Sequence, residues 1–144
     1  MKIFTIGFTQ CNAKEFFTKL KQPGLYRVLD SRLNNSSQLA GFTKKEDLKF
    51  FLNEICNLDY LHLPETAPTK EILDDYKKNG GSWEIYEKRF VALMESRQIE
   101  KTLEQAIFDG GCLLCSESKP HHCHRRLVAE YLKRRWKNVE IVHL

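Results

Sequence analysis

Short apolar segments alternate along this chain with longer segments in which apolar residues recur every three or four positions. The short segments predict β-strands over residues 2–6, 25–29, 58–63, 112–115 and 139–144. The longer segments predict α-helices over residues 13–20, 44–55, 69–78, 83–94, 98–108 and 123–136. Asn34–Ser37 is predicted to be a loop, and no repeat or low-complexity tract interrupts the alternation.

Residues at the helix starts support this assignment. Asn12, Thr43 and Ser82 stand before three of the predicted helices, where their side chains can accept hydrogen bonds from unpaired backbone N–H groups. The first helix places Phe16 and Leu20 on one face, which predicts that this face packs against the sheet.

Alternating strands and helices predict a three-layer, Rossmann-like α/β domain with a mostly parallel sheet of about five strands. The chain has 144 residues, of which 42% are hydrophobic. That length and composition fit one domain over residues 1–144 with one packed core.

Charge and terminal features narrow the possible partners. The formal net charge of +4 permits an anionic partner but is equally typical of a solvated surface. The N-terminus lacks a signal-peptide pattern, and no apolar run reaches membrane-spanning length, which predicts a soluble, cytoplasmic protein with no membrane partner. Five cysteines in such a chain predict reduced thiols rather than a disulfide framework.

Polar and glycine residues follow the predicted strands at the point where each strand ends. In parallel sheets, ligands bind beyond the carboxyl ends of the strands. We therefore predict one cleft at that edge, bordered by loops from distant parts of the chain. The residues predicted to bind substrate there are Gly7, Thr9, Asp30, Arg32, His62, Cys115 and Arg125.

The segment Cys112–Arg126 holds thiols, imidazoles, a carboxylate and guanidiniums between a strand and a helix. Cys123 falls near the first turn of that helix, where the helix dipole and nearby arginines favour a thiolate. This placement predicts a solvent-reachable, reactive Cys123, although a packing role is the alternative. Glu117 is a candidate general acid or base, and His124 completes the candidate catalytic set.

Other patterns leave alternatives open. Asp30 and Arg32 either orient a substrate or form an internal ion pair. An aromatic stripe over Trp83, Tyr86 and Phe90 belongs either to the core or to the wall of the cleft. The spacing from Cys115 places His121, not an arginine, at the sixth following position, so the familiar thiolate phosphate loop is absent.

Metal binding is an alternative to these assignments. Cys112 and Cys115 have zinc-like spacing, but residues three apart in a strand point to opposite faces. A second possible ligand set draws on His62, Cys115, Cys123, His124 and His143. Neither set is assigned as a metal site, and the sequence identifies no cofactor.

Several short motifs occur in a characteristic order. They are Thr5–Thr9, Asp30–Arg32, Tyr60–Pro64, Leu113–Glu117, Cys123–Arg125 and Val142–Leu144. Together they resemble the domain-of-unknown-function 488 family (DUF488), and Cys-x-Glu followed by Cys-His-Arg is the most specific part. The resemblance implies the α/β fold and the location of the site, but no established activity. Leu33 and Asn34 stand where the family pattern has a proline, which is a departure in that loop.

Three functions compete. The first is an enzyme acting on a phosphate-containing or nucleotide-like substrate through the Cys-x-Glu and Cys-His-Arg elements, and the implied partner is a small anionic or nucleotide-like ligand. The second is a module that binds nucleic acid or another partner through the same cleft. The third is a metal or redox sensor. The sequence does not decide whether the protein is an enzyme.

Overall fold

Five strands form the central sheet of the structure, a computed structural model that describes residues 1–36, 41–117 and 119–144. They are β1 (Lys2–Gly7), β2 (Arg27–Asp30), β3 (Asp59–His62), β4 (Gly111–Cys115) and β5 (Glu140–His143). Their spatial order is β3-β2-β4-β1-β5, and every neighbouring pair is parallel. The predicted parallel sheet is confirmed. Ser37 and Ser118, which fall in the predicted loop and in the Cys112–Arg126 segment, lie outside the described residues.

Position in the sheet explains the composition of each strand. All residues of the central strand β4 are buried, because helices cover both of its faces and no side chain reaches water. The edge strands β3 and β5 contain only exposed and half-buried residues. Apolar runs in the sequence therefore mark the centre of the sheet, and mixed patterns mark its edges.

Seven α-helices occur in the described residues. They are α1 (Ala13–Leu20), α2 (Lys45–Phe51), α3 (Lys70–Lys77), α4 (Trp83–Arg97), α5 (Ile99–Thr102), α6 (Gln105–Phe108) and α7 (His124–Arg135). A π-helical turn over Leu52–Cys56 continues α2. The predicted helix over residues 98–108 is two short helices instead, because Leu103 and Glu104 adopt extended backbone conformations between them.

Two of the three predicted N-caps are present. The Asn12 side chain accepts a hydrogen bond from the Glu15 N–H at 2.9 Å, and Ser82 Oγ accepts one from the Ile85 N–H at 3.3 Å. The prediction for Thr43 is wrong, because α2 begins one residue later than expected. Its N-cap is Lys44, whose side chain makes no capping hydrogen bond.

The sheet separates two hydrophobic clusters. On one face, α1 and α2 pack through Phe16, Leu20 and Leu48 against side chains that include Val28 and Cys112. On the other face, residues of α3, α4 and α7 pack against the alternate positions of the same strands, including Leu29 and Leu113. Helices on both faces of a parallel sheet confirm the three-layer, Rossmann-like architecture.

The helices that cover the second face also border the carboxyl edge of the sheet. Eight residues separate the end of β4 from the start of α7, so the first turn of α7 stands above the strand that precedes it. None of the described helices combines the length and the apolar content needed to cross a membrane.

Candidate functional site

A cavity of about 190 Å³ opens at the carboxyl edge of the sheet, between the ends of β2 and β4 and the helices α3, α4 and α7. Its aromatic wall is formed by Tyr76, Trp83, Tyr86 and His122. Its polar and sulfur-bearing lining includes Arg32, Lys77, Glu117, Cys115, Cys123 and His124. Residues from five separate parts of the chain therefore meet in one place.

Arg32 is fixed at the floor of the cavity by a buried ion pair. Its Nε and Nη2 each donate to an Asp30 carboxylate oxygen at 2.8 Å, and both side chains are almost fully buried. The Tyr60 hydroxyl also donates to that carboxylate, and burial together with Asp30 raises the pKa of Tyr60. Asp30 and Arg32 therefore form the internal ion pair that was one of the two predicted alternatives.

One nitrogen of Arg32 is left over. Its Nη1 is buried and has no hydrogen-bond partner within the part of the chain that the structure describes. Arg32 is only 4% exposed, yet it lines the cavity. A buried guanidinium nitrogen without an acceptor is costly, because its lost contacts with water are not replaced. Arg32, a lining residue of the cavity, thus carries an unused hydrogen-bond donor.

Arg125 holds the loop that follows β4. It is fully buried, and its Nη1 donates to the Glu117 carbonyl at 2.6 Å and to Cys115 Sγ at 3.3 Å. Burial lowers the pKa of Arg125 to about 10, which leaves the guanidinium charged at neutral pH. Gly7 makes this arrangement possible, because a Cβ at that position would lie 1.5 Å from the Glu117 carbonyl oxygen.

The two cysteines of the site are joined to each other. Cys115 ends β4, Cys123 is the N-cap of α7, and a disulfide connects them. Cys123 is 2% exposed. The prediction of reduced thiols is therefore wrong for this pair, whereas Cys11, Cys56 and Cys112 are free thiols. The prediction of a solvent-reachable Cys123 is also wrong, because the helix start that favours a thiolate also packs the sulfur against the end of the neighbouring strand. A catalytic role for Cys123 stays a prediction.

His124 is the first residue of α7, and its protonation state follows from one contact. Its Nε2 lies 2.7 Å from the Ser31 carbonyl oxygen, which can only accept a hydrogen bond. Nε2 therefore carries the proton of the neutral ring, and Nδ1 keeps its lone pair. Burial lowers the pKa of His124 to about 4, so the ring is neutral near pH 7.

The open side of the cavity carries an ion pair and the aromatic wall. Lys77 Nζ lies 2.6 Å from Glu117 Oε1, and both side chains are about half exposed. The Trp83 ring stacks against Tyr86 and His122, with centroid distances of 5.1 and 4.8 Å. Of the aromatic stripe on α4, Trp83 and Tyr86 thus border the cavity, whereas Phe90 belongs to the core.

The structure divides the predicted site residues into two groups. Arg32, Cys115, Glu117, Cys123 and His124 line the cavity. Gly7, Thr9, Asp30, His62 and Arg125 do not line it, and each instead contacts a lining residue or its loop. The second group supports the lining residues without facing the cavity. Fewer residues therefore line the cavity than the strand ends predicted. Substrate binding by these five residues stays a prediction.

Sequence reasoning missed the contribution of α3. Tyr76 and Lys77, at the carboxyl end of that helix, line the cavity. Their residue types and spacing are ordinary for an amphipathic helix, and only the packing of α3 against α4 brings them to the site. Pro68, which precedes α3 and also lines the cavity, has no sequence feature that would have predicted this position.

Metal-ligating side chains also cluster in this cavity. Among the residues that the structure describes, Cys115, Cys123 and His124 offer ligand atoms that all lie within 4.8 Å of one another. His62 and His143 are not part of this cluster: they contact the Arg32 carbonyl and the Thr5 hydroxyl, respectively. Cys112 is fully buried on the opposite face of the sheet, as its spacing from Cys115 predicted.

Comparison with known proteins identifies the family of the chain. Neither the curated proteins nor the solved structures contain a significant match. The sequence model of the family described as "Domain of unknown function DUF488" matches residues 12–132, which include Asp30–Arg32, Cys-x-Glu and Cys-His-Arg. The motifs at Thr5–Thr9 and Val142–Leu144 lie outside the matched range. Because the match covers most of the chain, the protein belongs to the DUF488 family.

Proposed function

We propose that the cavity binds the ring of a small nucleotide-like ligand and that Arg32 donates a hydrogen bond to that ring. The observation that carries the proposal is Arg32 Nη1, a buried donor with no hydrogen-bond partner among the described residues, on a residue that lines an aromatic-walled cavity. Nucleobases present ring carbonyls and ring nitrogens that accept such hydrogen bonds. A bound base would replace the missing acceptor.

The size and lining of the cavity favour a planar ring. Its volume of about 190 Å³ is below the roughly 300–1,000 Å³ of pockets that enclose drug-sized ligands. Only part of a nucleotide therefore enters. Tyr76, Trp83 and Tyr86 offer apolar ring surfaces and edges, which suit an aromatic group better than a free phosphate.

The charged part of the ligand is assigned to the mouth of the cavity. Lys77 lies there with its side chain about half exposed, and it is paired with Glu117 in the absence of a ligand. A phosphate near Lys77 would compete with that carboxylate for the ammonium group. Asp30 already neutralises Arg32, so the floor of the cavity supplies a hydrogen bond rather than net positive charge.

For a reaction on that ligand, Glu117 is the best-placed candidate. It lines the cavity and its side chain is 40% exposed, whereas Cys123 is buried and bonded to Cys115. Release from Lys77 would free the carboxylate to accept a proton as a general base. Glu117 is therefore proposed as the acid–base group, with His124 as a second lining residue that keeps an unprotonated ring nitrogen.

Tryptophan fluorescence tests ligand binding. The chain has two tryptophans, and Trp136 packs against Phe108 away from the site, so Trp136→Phe leaves Trp83 as the only reporter. We expect nucleoside 5′-monophosphates to change Trp83 emission with a Kd below about 1 mM. Ribose 5-phosphate, which lacks the ring, should bind much more weakly. Short oligonucleotides, titrated in parallel, distinguish a free nucleotide from a base presented by a nucleic acid.

Arg32→Lys tests the hydrogen bond itself. Lysine can still pair with Asp30 but lacks the third nitrogen, so binding should weaken by about tenfold or more. Arg27→Lys is the matched control, because Arg27 starts β2, the strand that Arg32 follows, and its side chain donates to the Ile107 and Asp109 carbonyls instead of lining the cavity. If no base-bearing compound binds the folded protein, or if both variants bind like the wild type, the proposal is wrong.

Ligand turnover separates an enzyme from a binding module. Each compound that binds is incubated with the wild type and with Glu117→Gln, and its conversion is followed by phosphorus NMR. Conversion by the wild type that is lost in Glu117→Gln supports the acid–base assignment. Binding without conversion would make the protein a binding module.

A further inference from the structure

Three ligand atoms of the site form a compact cluster that nucleotide binding does not use. Cys115 ends β4, while Cys123 and His124 start α7, and the ligand atoms of all three lie within 4.8 Å of one another. All three residues line the same cavity. A strand end and a helix start, both fixed by the core, therefore present sulfur and nitrogen to one small volume.

The histidine makes a hydrogen bond that is common among metal-binding histidines. Its Nε2–H donates to the Ser31 carbonyl at 2.7 Å, which fixes the ring and leaves Nδ1 as the unprotonated nitrogen. Metal-binding histidines commonly donate the other ring N–H to a backbone carbonyl in this way. No rearrangement of that hydrogen bond is needed for Nδ1 to bind a cation.

The two sulfurs and the imidazole nitrogen form a set of ligand atoms that favours one kind of cation. Two thiolates with one imidazole are typical ligands of Zn²⁺, which binds sulfur at about 2.3 Å and nitrogen at about 2.0–2.1 Å. The Cα atoms of Cys115 and Cys123 lie 7.5 Å apart. That separation exceeds the roughly 4.4–6.8 Å usual for disulfide-bonded cysteines, and it leaves room for a cation between two thiolates.

We propose that a dithiol reductant converts the Cys115–Cys123 disulfide into a Zn²⁺ site formed by Cys115, Cys123 and His124. The dithiol transfers two electrons and two protons, so that it becomes a disulfide and the protein gains two thiols. Zn²⁺ then binds as both thiols lose their protons to solvent. The site takes a cation when reduced and excludes it when oxidised.

The cavity gives this cation both access and an open coordination position. The sulfurs are almost fully buried, but both cysteines line the cavity, which is the entry path. Three protein ligands leave the fourth tetrahedral position facing the same space. A water molecule or a ligand oxygen near Glu117 would occupy that position.

Cobalt absorption and zinc retention test the site. The full-length protein is reduced with a dithiol, desalted without oxygen, and titrated with Co²⁺, whose thiolate charge-transfer and tetrahedral bands report sulfur ligation. We expect saturation at about one equivalent, and retention of about one equivalent of Zn²⁺ after desalting. The oxidised protein should show neither signal. Reduced wild type without these bands, or equal binding by the oxidised protein, overturns the proposal.

Cysteine variants locate the ligands. Cys115→Ser and Cys123→Ser should lose the retained Zn²⁺, and His124→Gln should weaken binding by at least about tenfold. The double variant Cys11→Ser/Cys56→Ser is the matched control, because it removes two free cysteines outside the cavity. Retention that survives Cys115→Ser and Cys123→Ser, or that disappears in the control, contradicts the assignment. The cobalt spectrum of the wild type decides the question even where a variant does not fold.

Discussion

Gly7 shows at the scale of one residue how closely the loop after β4 approaches the sheet. The Glu117 backbone lies where a side chain at position 7 would begin, and Arg125 holds it there. The sequence predicted Gly7 as a site residue from its place at a strand end. Its structural reason, a carbonyl of a residue 110 positions later in the chain, belongs to the tertiary fold and has no local signal.

We predict that Gly7→Ala destabilises the protein by about 1–3 kcal/mol, because the loop must move to make room for the methyl group. Urea unfolding of the two proteins measures the change. Gly41→Ala is the control, since a Cβ at that position meets no atom of the described residues within 4 Å, and it should change stability by no more than about 0.5 kcal/mol. Equal effects of the two substitutions would show that the close approach is not important.

The pH dependence of stability gives a second prediction at this scale. Burial lowers the pKa of His124 to about 4 in the folded protein, whereas the unfolded chain titrates near the ordinary value of 6.5. Between these values the unfolded state binds more protons, so the stability contributed by neutral His124 is complete above about pH 7 and is lost as the pH falls toward 4. The expected loss is about 2–3 kcal/mol.

His124→Gln isolates this contribution, because glutamine keeps an N–H for the Ser31 carbonyl and does not titrate. Urea unfolding of both oxidised proteins between pH 7 and pH 4, with a chelator present, should give a flatter dependence for the variant. Parallel curves for the two proteins would mean that His124 keeps an ordinary pKa in the folded state.

Among the secondary-structure elements, α4 supplies two residues of the aromatic wall, Trp83 and Tyr86. Ser82 caps this helix, and the first residue after it is Trp83. The sequence predicted this helix start because a serine before an apolar stripe has a local physical meaning. It did not predict the break between α5 and α6, since residues 98–108 remain compatible with a continuous helix until packing decides.

We predict that Ser82→Ala lowers the free energy of unfolding by about 1 kcal/mol, because the Ile85 N–H loses its acceptor. Lys44→Ala is the matched control at the N-cap of α2, where the side chain makes no capping hydrogen bond, and its effect should stay within about 0.5 kcal/mol. Denaturant unfolding measures both. A larger effect for the control would contradict the assignment of the cap.

At the scale of the whole molecule, alternating apolar patterns were sufficient to predict a parallel three-layer domain and the edge at which the site lies. Asp30, Arg32, Glu117 and the Cys-His-Arg turn were located because each follows a strand. Strand ends do not specify which side chains face the cavity, so the position of Arg125 behind the loop was not predictable. The Cys115–Cys123 bond also depends on the exact placement of α7.

The contribution of α3 to the cavity was not predictable from the sequence for the same reason. Tyr76 and Lys77 reach the cavity because α3 packs against α4, a contact between helices that periodicity does not define. Local patterns therefore predict elements and their order, whereas the lining of a cavity depends on how the elements pack together.

The most direct test of nucleotide binding in the cavity is a crystal structure of the complex with the nucleoside monophosphate that binds most tightly. We predict that the base lies in the cavity against the aromatic wall, with an acceptor atom at about 2.7–3.2 Å from Arg32 Nη1 and the phosphate near Lys77. A ligand bound elsewhere on the protein, or a base in the cavity with Arg32 Nη1 still unpaired, would contradict the proposed binding of the base by Arg32.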